Sequence, residues 1–445
     1  MSISLSSIRE ALEGGSPAMI ATADLDGVPN VSFLSDVQYV DERHVALSFQ
    51  FFNKTRANVL ANPFARLMVI HARTAARWRL LVQYQRTETA GPLFERMRAR
   101  LAGIASEQGM SSVFHLRGSD VYRVLAVEAI ACATLPEPPR PSWLAPLRSA
   151  TARINQSSDI DGLFDELLSS IVREFDIEHA LLMSVDPDSG RLFTVASTGY
   201  PEVGVGAEVA PGEGVIGVAA DVGVPIRINH ALADHAYARA VRGQMGDDIE
   251  PSPDWRIPLP GLARPGSQLA VPIVDGERTL AVLYVEHPQS GRFSYDLEDA
   301  LAVLASMAAA ALRRFDPWVV SERPVVASTP PSDSKPGDLL RVHREARSGA
   351  IFVNDEYVIR GVAGAILWKM LVEHHTRDRR EFSNRELRAD PALQLPDIAD
   401  NLSTRLILLQ RRLLERPCGV RLQKVGRGRL ALEVDRPLQI ADTDD

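Results

Sequence analysis

Over the first 130 positions, apolar and polar residues alternate in short runs broken by turn residues. "AMIATADLDGVPNVSFL" (18–34) reads as strand, turn at Asp26-Gly27 and strand, since two period-2 stretches flank a dipeptide suited to a tight turn. "SDVQYVDERHVALSFQF" repeats the pattern around Asp41-Glu42, and "ARLMVIHAR", "WRLLVQYQRTET" and "DVYRVLAVEAI" add three more strands. Between them, "GPLFERMRARLAGIASEQG" has helical spacing. Many short antiparallel strands with one or two helices predict a small barrel.

Further on the period lengthens. In "SSDIDGLFDELLSSIVREFDIEHALLMSVD" Asp159 stands at a helix start, and Leu163, Leu167 and Ile171 follow on one stripe. "HALLMSVD" and "RLFTVAST" read as strands, and "PGEGVIGVAADVGVPIRI" places Gly212, Gly214 and Gly217 before a short helix and a strand. "SQLAVPIVDGERTLAVLYVEH" is a hairpin turned at Asp275-Gly276, and a helix with Leu297, Leu301, Leu304 and Ala308 in register follows it. The last stretch gives a short strand, a helix carrying Ile366, Leu367, Met370 and Leu371, and a capping box, Ser383 with Glu386. A helix striped by Leu402, Leu406, Leu409 and Leu413 comes next, then the hairpin "VRLQKVGRGRLALEV".

Two proline-rich segments punctuate the chain, "TLPEPPRPSW" (134–143) and "RPVVASTPPSDSKPGD" (323–338). The predicted division is a domain over 1–133, a linker over 134–143, a domain over 144–315, a linker over 316–337, a domain over 338–435 and an acidic tail over 436–445. A length of 445 residues suits three cores rather than one. A net charge of -8 gives no support to whole-surface binding of nucleic acid. Cys132 and Cys418, far apart and without CxxC spacing, exclude a disulfide framework or a cysteine zinc site and fit a reducing compartment. The first residues lack the apolar run of a signal peptide, and the longest apolar run, 300–312, is too short to span a bilayer. The expected location is cytoplasmic, with no membrane partner.

The order "PAMIATADLDGVPNVSFLS", "FFNKTRANVLANP", "DVYRVLAVE" resembles the pyridoxamine 5′-phosphate oxidase-like split barrel across nearly the whole first domain. Members of that family form dimers and hold FMN at the subunit interface; some relatives hold a deazaflavin or haem. The resemblance implies a homodimer in which Lys54, Thr55 and Arg56 contact the cofactor phosphate and Asn58 starts the next helix. Ser32 and Gln50 would then lie near the ribityl chain or ring. Two cations, a hydroxyl and the free N–H groups of a helix start do make a compact anion site. The plain alternative is that Lys54 and Arg56 are solvated and Asn58 caps the helix. His44, His71 and His115 are dispersed, so no catalytic residue is assigned.

Helix, strands, "GEGVIGVAA", "LAVPI", "AVLYVE" and helix, in that order, resemble a GAF domain over roughly 145–314. That resemblance implies a bound small molecule or a purely dimerising role. The block has no cysteine for thioether attachment of a bilin, and no metal site is assigned. His179, His230, His235 and His287 leave a haem ligand conceivable, against the commoner reading of polar loop residues.

The third domain resembles the winged helix-turn-helix of response-regulator effector domains, with "LQKVGRGRLAL" as the wing and Leu430 in place of the family's tyrosine. Residues 401–432 hold eight bases against one acid, a local charge of +7. A basic helix with a basic hairpin is the footprint of DNA contact. Asn401, Thr404, Arg405, Arg411 and Arg412 fall opposite the leucine stripe and are expected at a major groove; Lys424, Arg427 and Arg429 are further DNA contacts, the two arginines on the wing. Leu408 in the middle of that face and the acids of "PDIAD" before the helix count against it. A protein-interaction module with a basic face is the alternative.

The expected whole is a multidomain α+β protein: an FMN-binding-type split β-barrel, a GAF α/β sandwich and a winged helix. As a cytoplasmic one-component regulator it would bind a flavin-like cofactor or small ligand and, through its C-terminus, DNA. The competing expectation is a flavin-dependent oxidoreductase with regulatory GAF and winged-helix parts, and a third is an adaptor whose folds have lost their ligands.

Overall fold

The computed structural model describes residues 3–12, 16, 18–34, 36–49, 54–107, 116–137, 139–187, 189–231, 257–315, 339–345, 349–388, 390–393, 402–426 and 428–443. In the first domain a short turn of helix over Ser6–Leu12 precedes β1 (Ala18–Ala23), β2 (Pro29–Leu34), β3 (Val37–Asp41), β4 (His44–Phe49), α1 (Lys54–Ala61), β5 (Phe64–Ile70), β6 (Arg77–Glu88), α2 (Pro92–Glu107) and β7 (Gly118–Ile130). The strands form one sheet in the order β2-β1-β5-β6-β7-β4-β3, antiparallel throughout. The β1–β2 turn falls where the Asp-Gly pair lies, with Gly27 at φ +82° and the Asp24 carboxylate accepting from the Val28 amide at 2.8 Å. The β3–β4 turn lies one residue later than expected, on Glu42 and Arg43, because Asp41 pairs with His44. Irregularities in the long β6–β7 pairing, at Leu81/Val82 and Tyr84/Arg86, bend the sheet around Ile20, Val45, Leu47, Leu67, Leu80 and Val82.

The middle domain holds α3 (Leu144–Gln156), α4 (Ile160–Phe175), β8 (His179–Val185), β9 (Leu192–Thr198), β10 (Glu208–Val209), α5 (Gly214–Val222), β11 (Ile226–Ile228), β12 (Ser267–Asp275), β13 (Arg278–His287) and α6 (Tyr295–Arg314). Its sheet runs β10-β9-β8-β13-β12-β11. The Asp159 side chain caps α4 through the Gly162 amide at 2.9 Å, as the sequence indicated. Leu163, Leu167, Ile171, Leu297, Leu301 and Leu304 bury one face of the sheet beneath α3, α4 and α6. The other face is closed by α5 and by α2 of the barrel: Ala99 joins Leu181, Met183, Val215 and Ile228. The opposite side of α2, through Leu93, Met97 and Leu101, packs on Ala46 and Val121 of the barrel. One helix therefore belongs to two cores.

The third domain comprises β14 (Leu340–Glu345), β15 (Ile351–Val353), β16 (Glu356–Ile359), α7 (Gly361–Arg377), β17 (Glu381–Ser383), α8 (Asn384–Arg388), α9 (Leu402–Glu415), β18 (Val420–Gly426), β19 (Arg429–Val434) and β20 (Leu438–Thr443). Its described residues form two sheets, β16-β15-β14-β20 and β17-β19-β18. The capping box is reciprocal: Ser383 N donates to Glu386 Oε2 at 3.1 Å and Glu386 N to Ser383 Oγ at 3.2 Å. The tail expected over 436–445 is corrected in part, since β20 pairs in parallel with β14 from Leu340↔Leu438 to Glu345↔Thr443. Leu438 and Ile440 alternate with polar Gln439, a strand pattern overshadowed by the acidic end. The linker expected over 316–337 lies outside the described residues. None of the described helices is long and apolar enough to cross a membrane.

Candidate functional site

The barrel candidate is built where β2, α1 and the β6–β7 pair meet. Alternation along β2 leaves Val31 and Phe33 exposed and turns Asn30 and Ser32 the other way. Thr55, in the first turn of α1, bonds Ser32 Oγ at 2.7 Å and accepts from Asn30 Nδ2 at 2.8 Å. Lys54 beside it is half exposed, with its ammonium 3.9 Å from the Asp24 carboxylate. This much agrees with a polar cradle at a helix start.

Arg56 behaves differently. Its guanidinium binds both Asp120 oxygens, donates to Thr87 Oγ1 at 2.9 Å and lies 4.1 Å over the Phe49 ring. Thr87 also donates to Asp120, at 2.6 Å, and meets the Tyr84 hydroxyl at 2.7 Å. Burial works against the Arg56 charge, but the Asp120 carboxylate more than compensates and holds its pKa above the ordinary value. The Arg56 charge is thus balanced inside the protein. Asn58 is corrected too: it sits within α1, buried, and donates to Thr22 Oγ1 at 3.1 Å, so it neither starts nor caps the helix. Gln50 lies outside the described residues. Sequence reasoning missed Asn30, Thr87 and Asp120; the period-2 partners of Ser32 and of Tyr122 were the available signal.

In the middle domain a buried polar cluster lies on the sheet. Gln268 Nε2 donates to the Tyr284 hydroxyl at 2.9 Å, which donates to Glu286 Oε2 at 3.0 Å. Burial raises the Glu286 pKa, countered in part by the Leu262 amide and the Tyr200 hydroxyl. His179 stacks edge-on to Tyr200 at 5.4 Å. His230 is buried where the barrel meets this domain; burial, then the charges of Arg100, His71, Arg227 and Arg73, push its pKa down to about 4. His235 lies outside the described residues. Among the described residues no three His, Cys, Asp or Glu side chains group as metal ligands.

The basic C-terminal face is where the structure departs furthest from expectation. Thr404, Arg405, Leu408 and Arg412 are all buried, although they lie off the leucine stripe of α9. Arg405 pairs with Asp186 at 2.9 Å, and Arg411 with Asp161 at 2.6 Å and Asp165 at 2.7 Å. Lys424 reaches Asp159 at 2.9 Å. Those four acids belong to the middle domain. Arg412 turns inward, donating to the Val358 carbonyl at 2.9 Å and pairing with Glu415 at 3.1 Å. A cavity at the seam is lined by Asp186, Phe193, Val195, Thr404, Arg405 and Leu408. The expected open face of Thr404, Arg405, Arg411 and Arg412 is therefore corrected: a helical wheel orients a helix against its own core and cannot see a second domain on the other side. Arg429 stays exposed, 3.7 Å from Glu381, while Asn401 and Arg427 lie outside the described residues. Leu408, out of place on a DNA face, fits a helix packed on both sides.

Comparison with known proteins agrees with two of the three domains. Residues 6–125 match the family described as pyridoxamine 5′-phosphate oxidase, and residues 157–313 match the GAF domain family. The chain therefore contains a pyridoxamine phosphate oxidase-like domain and a GAF domain. No curated protein matches it. The GAF domain of an Acinetobacter phosphoenolpyruvate-protein phosphotransferase is similar at 21% identity and TM-score 0.31, covering 38% of this chain and 92% of that one. An FMN-binding protein from Syntrophomonas wolfei is similar at 17% identity and TM-score 0.25, covering 29% and 86%. The Staphylococcus aureus protein fRMsr, solved with its substrate, is similar at 15% identity and TM-score 0.30, covering 40% and 99%.

Proposed function

We propose that the chain is a cytoplasmic ligand-responsive regulator. Its barrel holds FMN or a related phosphate-bearing cofactor, its GAF domain relays the state of the barrel, and its C-terminal domain is the output, acting on DNA as a winged helix. The observation that carries this reading is the position of the GAF domain: α2 of the barrel completes one side of its sheet, and α9 of the C-terminal domain is seated on its α4 and β9. A sensor placed between an input and an output needs contacts of this kind, because coupling between sites requires an element that both can bias. The order α7, β17, α8, α9 and the hairpin β18–β19 is the order a winged helix uses. Lys54, Thr55 and Ser32 are the cofactor contacts of this reading, with Arg56 available only after leaving Asp120. The edge strand β2, with Val31 and Phe33 exposed, is the surface for a second copy.

The test is one series on the full-length protein: its visible absorption spectrum, an FMN titration, and gel shifts with genomic fragments at several salt concentrations. A flavin band or saturable FMN binding that is lost in Lys54→Ala, with salt-dependent DNA binding altered by FMN, is the expected result. A protein that takes up no flavin and binds no DNA overturns the proposal. The family match of residues 6–125 also supports a second reading, a flavin-dependent oxidoreductase. It predicts turnover of a reduced nicotinamide or deazaflavin, lost in Lys54→Ala.

A further inference from the structure

The acids that receive the C-terminal domain lie on the GAF domain. Asp159, Asp161 and Asp165 lie at the start of α4, Asp186 follows β8, and Glu208 lies in β10. Each meets a base of the C-terminal domain: Lys424 on Asp159, Arg411 on Asp161 and Asp165, Arg405 on Asp186, and Arg360 on Glu208. The contact is closed at its far end by Glu415 Oε1, which accepts from the Gly204 amide at 2.9 Å. Carboxylates meeting two arginines of α9, Arg360 before α7 and a lysine of the neighbouring hairpin present to that module a row of negative charge like that of a nucleic-acid backbone.

We infer that this contact is an autoinhibitory latch in which the acidic ridge of the GAF domain occupies the nucleic-acid face of α9 and holds the C-terminal domain off duplex DNA. The inference rests on the DNA-output reading above. The latch is reversible by design of its outer pairs: Lys424–Asp159 and Arg411–Asp165 are partly exposed, and exposed pairs hold weakly. Arg405–Asp186 is more enclosed, with side chains 7% and 12% exposed. A modest change of the GAF domain on ligand binding is then enough to tip the equilibrium. Salt acts on latch and DNA in opposite senses. It loosens the latch, which frees α9, and it weakens the DNA complex, so the wild-type affinity falls less steeply with salt than that of an unlatched chain.

The test compares three full-length proteins: wild type, the triple variant Asp159→Asn/Asp161→Asn/Asp165→Asn, and a control, Glu178→Gln/Asp221→Asn/Glu277→Gln. Asparagine at 159 preserves the cap of α4. The control removes the same charge from exposed GAF positions away from the ridge. Binding of a labelled mixed-sequence duplex is read by anisotropy across a salt series, and opening by amide exchange in α9. The expected result is faster exchange in α9 and about tenfold tighter binding for the ridge variant, from roughly three weak pairs removed, with a steeper salt slope than wild type. The control should stay within about threefold of wild type, since its charges make no contact with α9. Equal tightening in ridge and control variants overturns the latch and leaves DNA output standing. Faster exchange in α9 without DNA binding by any of the three overturns the DNA reading itself. No change in either readout shows that the ridge does not restrain α9 and overturns the inference.

Discussion

Removing Arg56 or Asp120 separately should harm the barrel far more than removing both. The pair is nearly shut from solvent, with the arginine side chain 15% and the aspartate 8% exposed. Deleting one partner leaves an uncompensated charge and costs about 3–5 kcal/mol. Arg56→Ala leaves Asp120 without its cation, beside the Thr87 hydroxyl; Asp120→Ala leaves the guanidinium without its carboxylate, beside Thr87, Tyr84 and the Phe49 face. The double variant leaves no buried charge, so it should cost about 1–2 kcal/mol, and the cycle should show a coupling of several kcal/mol. Native-state amide exchange of β4 and β7, which pair from His44↔Arg123 to Phe49↔Gly118 beside the site, isolates the barrel from the other domains. At about 1.36 kcal/mol per tenfold, each single variant should lose protection by roughly two to nearly four orders of magnitude. Additive losses, or a loss under tenfold for Arg56→Ala, would refute the reasoning. Either result would mean that Arg56 spends its time facing outward, where a phosphate could take it without first displacing Asp120.

Two other perturbations separate packing from propensity and charge from burial. Gly217→Ala adds a methyl that would lie 2.2 Å from the Ala210 carbonyl oxygen, so although alanine favours a helix by about 1 kcal/mol, the clash should win and lower stability by about 2 kcal/mol or more; a neutral or stabilised protein in thermal unfolding would contradict this. His230 is kept neutral in the folded state, with a pKa near 4 against an ordinary 6.5, so the unfolded chain binds the proton first as pH falls. Stability should be full above pH 6.5 and decline by about 3 kcal/mol toward pH 4, and His230→Asn should remove that slope in denaturant titrations; parallel pH profiles for the two proteins would exclude His230 as its source.

The strands and helix caps were legible in the sequence because each depends on a few neighbouring residues. Period-2 runs located β1 to β7, the Asp159 and Ser383 caps are made as their spacing indicated, and the glycines of "PGEGVIG" have separate causes in the fold. Gly212 and Gly214 have positive φ, at +75° and +62°, while Gly217 sits against a backbone carbonyl. What was illegible depends on side chains distant in the chain. Asn58 looks like a cap until Thr22 is placed beside it. Arg56 looks like an anion ligand until Asp120, 64 residues away, takes its fork. Of the candidate residues, the contact of Ser32 with Thr55 beside Lys54 is the part that neighbouring residues make readable.

The basic run of the third domain shows why local charge alone does not define a surface. Arg405, Arg411 and Lys424 are more than 200 residues from the acids they meet. No window along the chain shows both signs together. One clue was local all the same. A helix that faces DNA needs no leucine opposite its core stripe, yet Leu408 is there and is buried. Burying a leucine is worth about 1.5–3 kcal/mol, more than the 0–1 kcal/mol of an exposed ion pair. Leu408 thus adds apolar burial to this contact beside its ion pairs, and the charges give it sensitivity to salt and to competing phosphate. A latch meant to open needs both in this proportion: apolar contact enough to close, with the remaining free energy in pairs that a polyanion can exchange one for one.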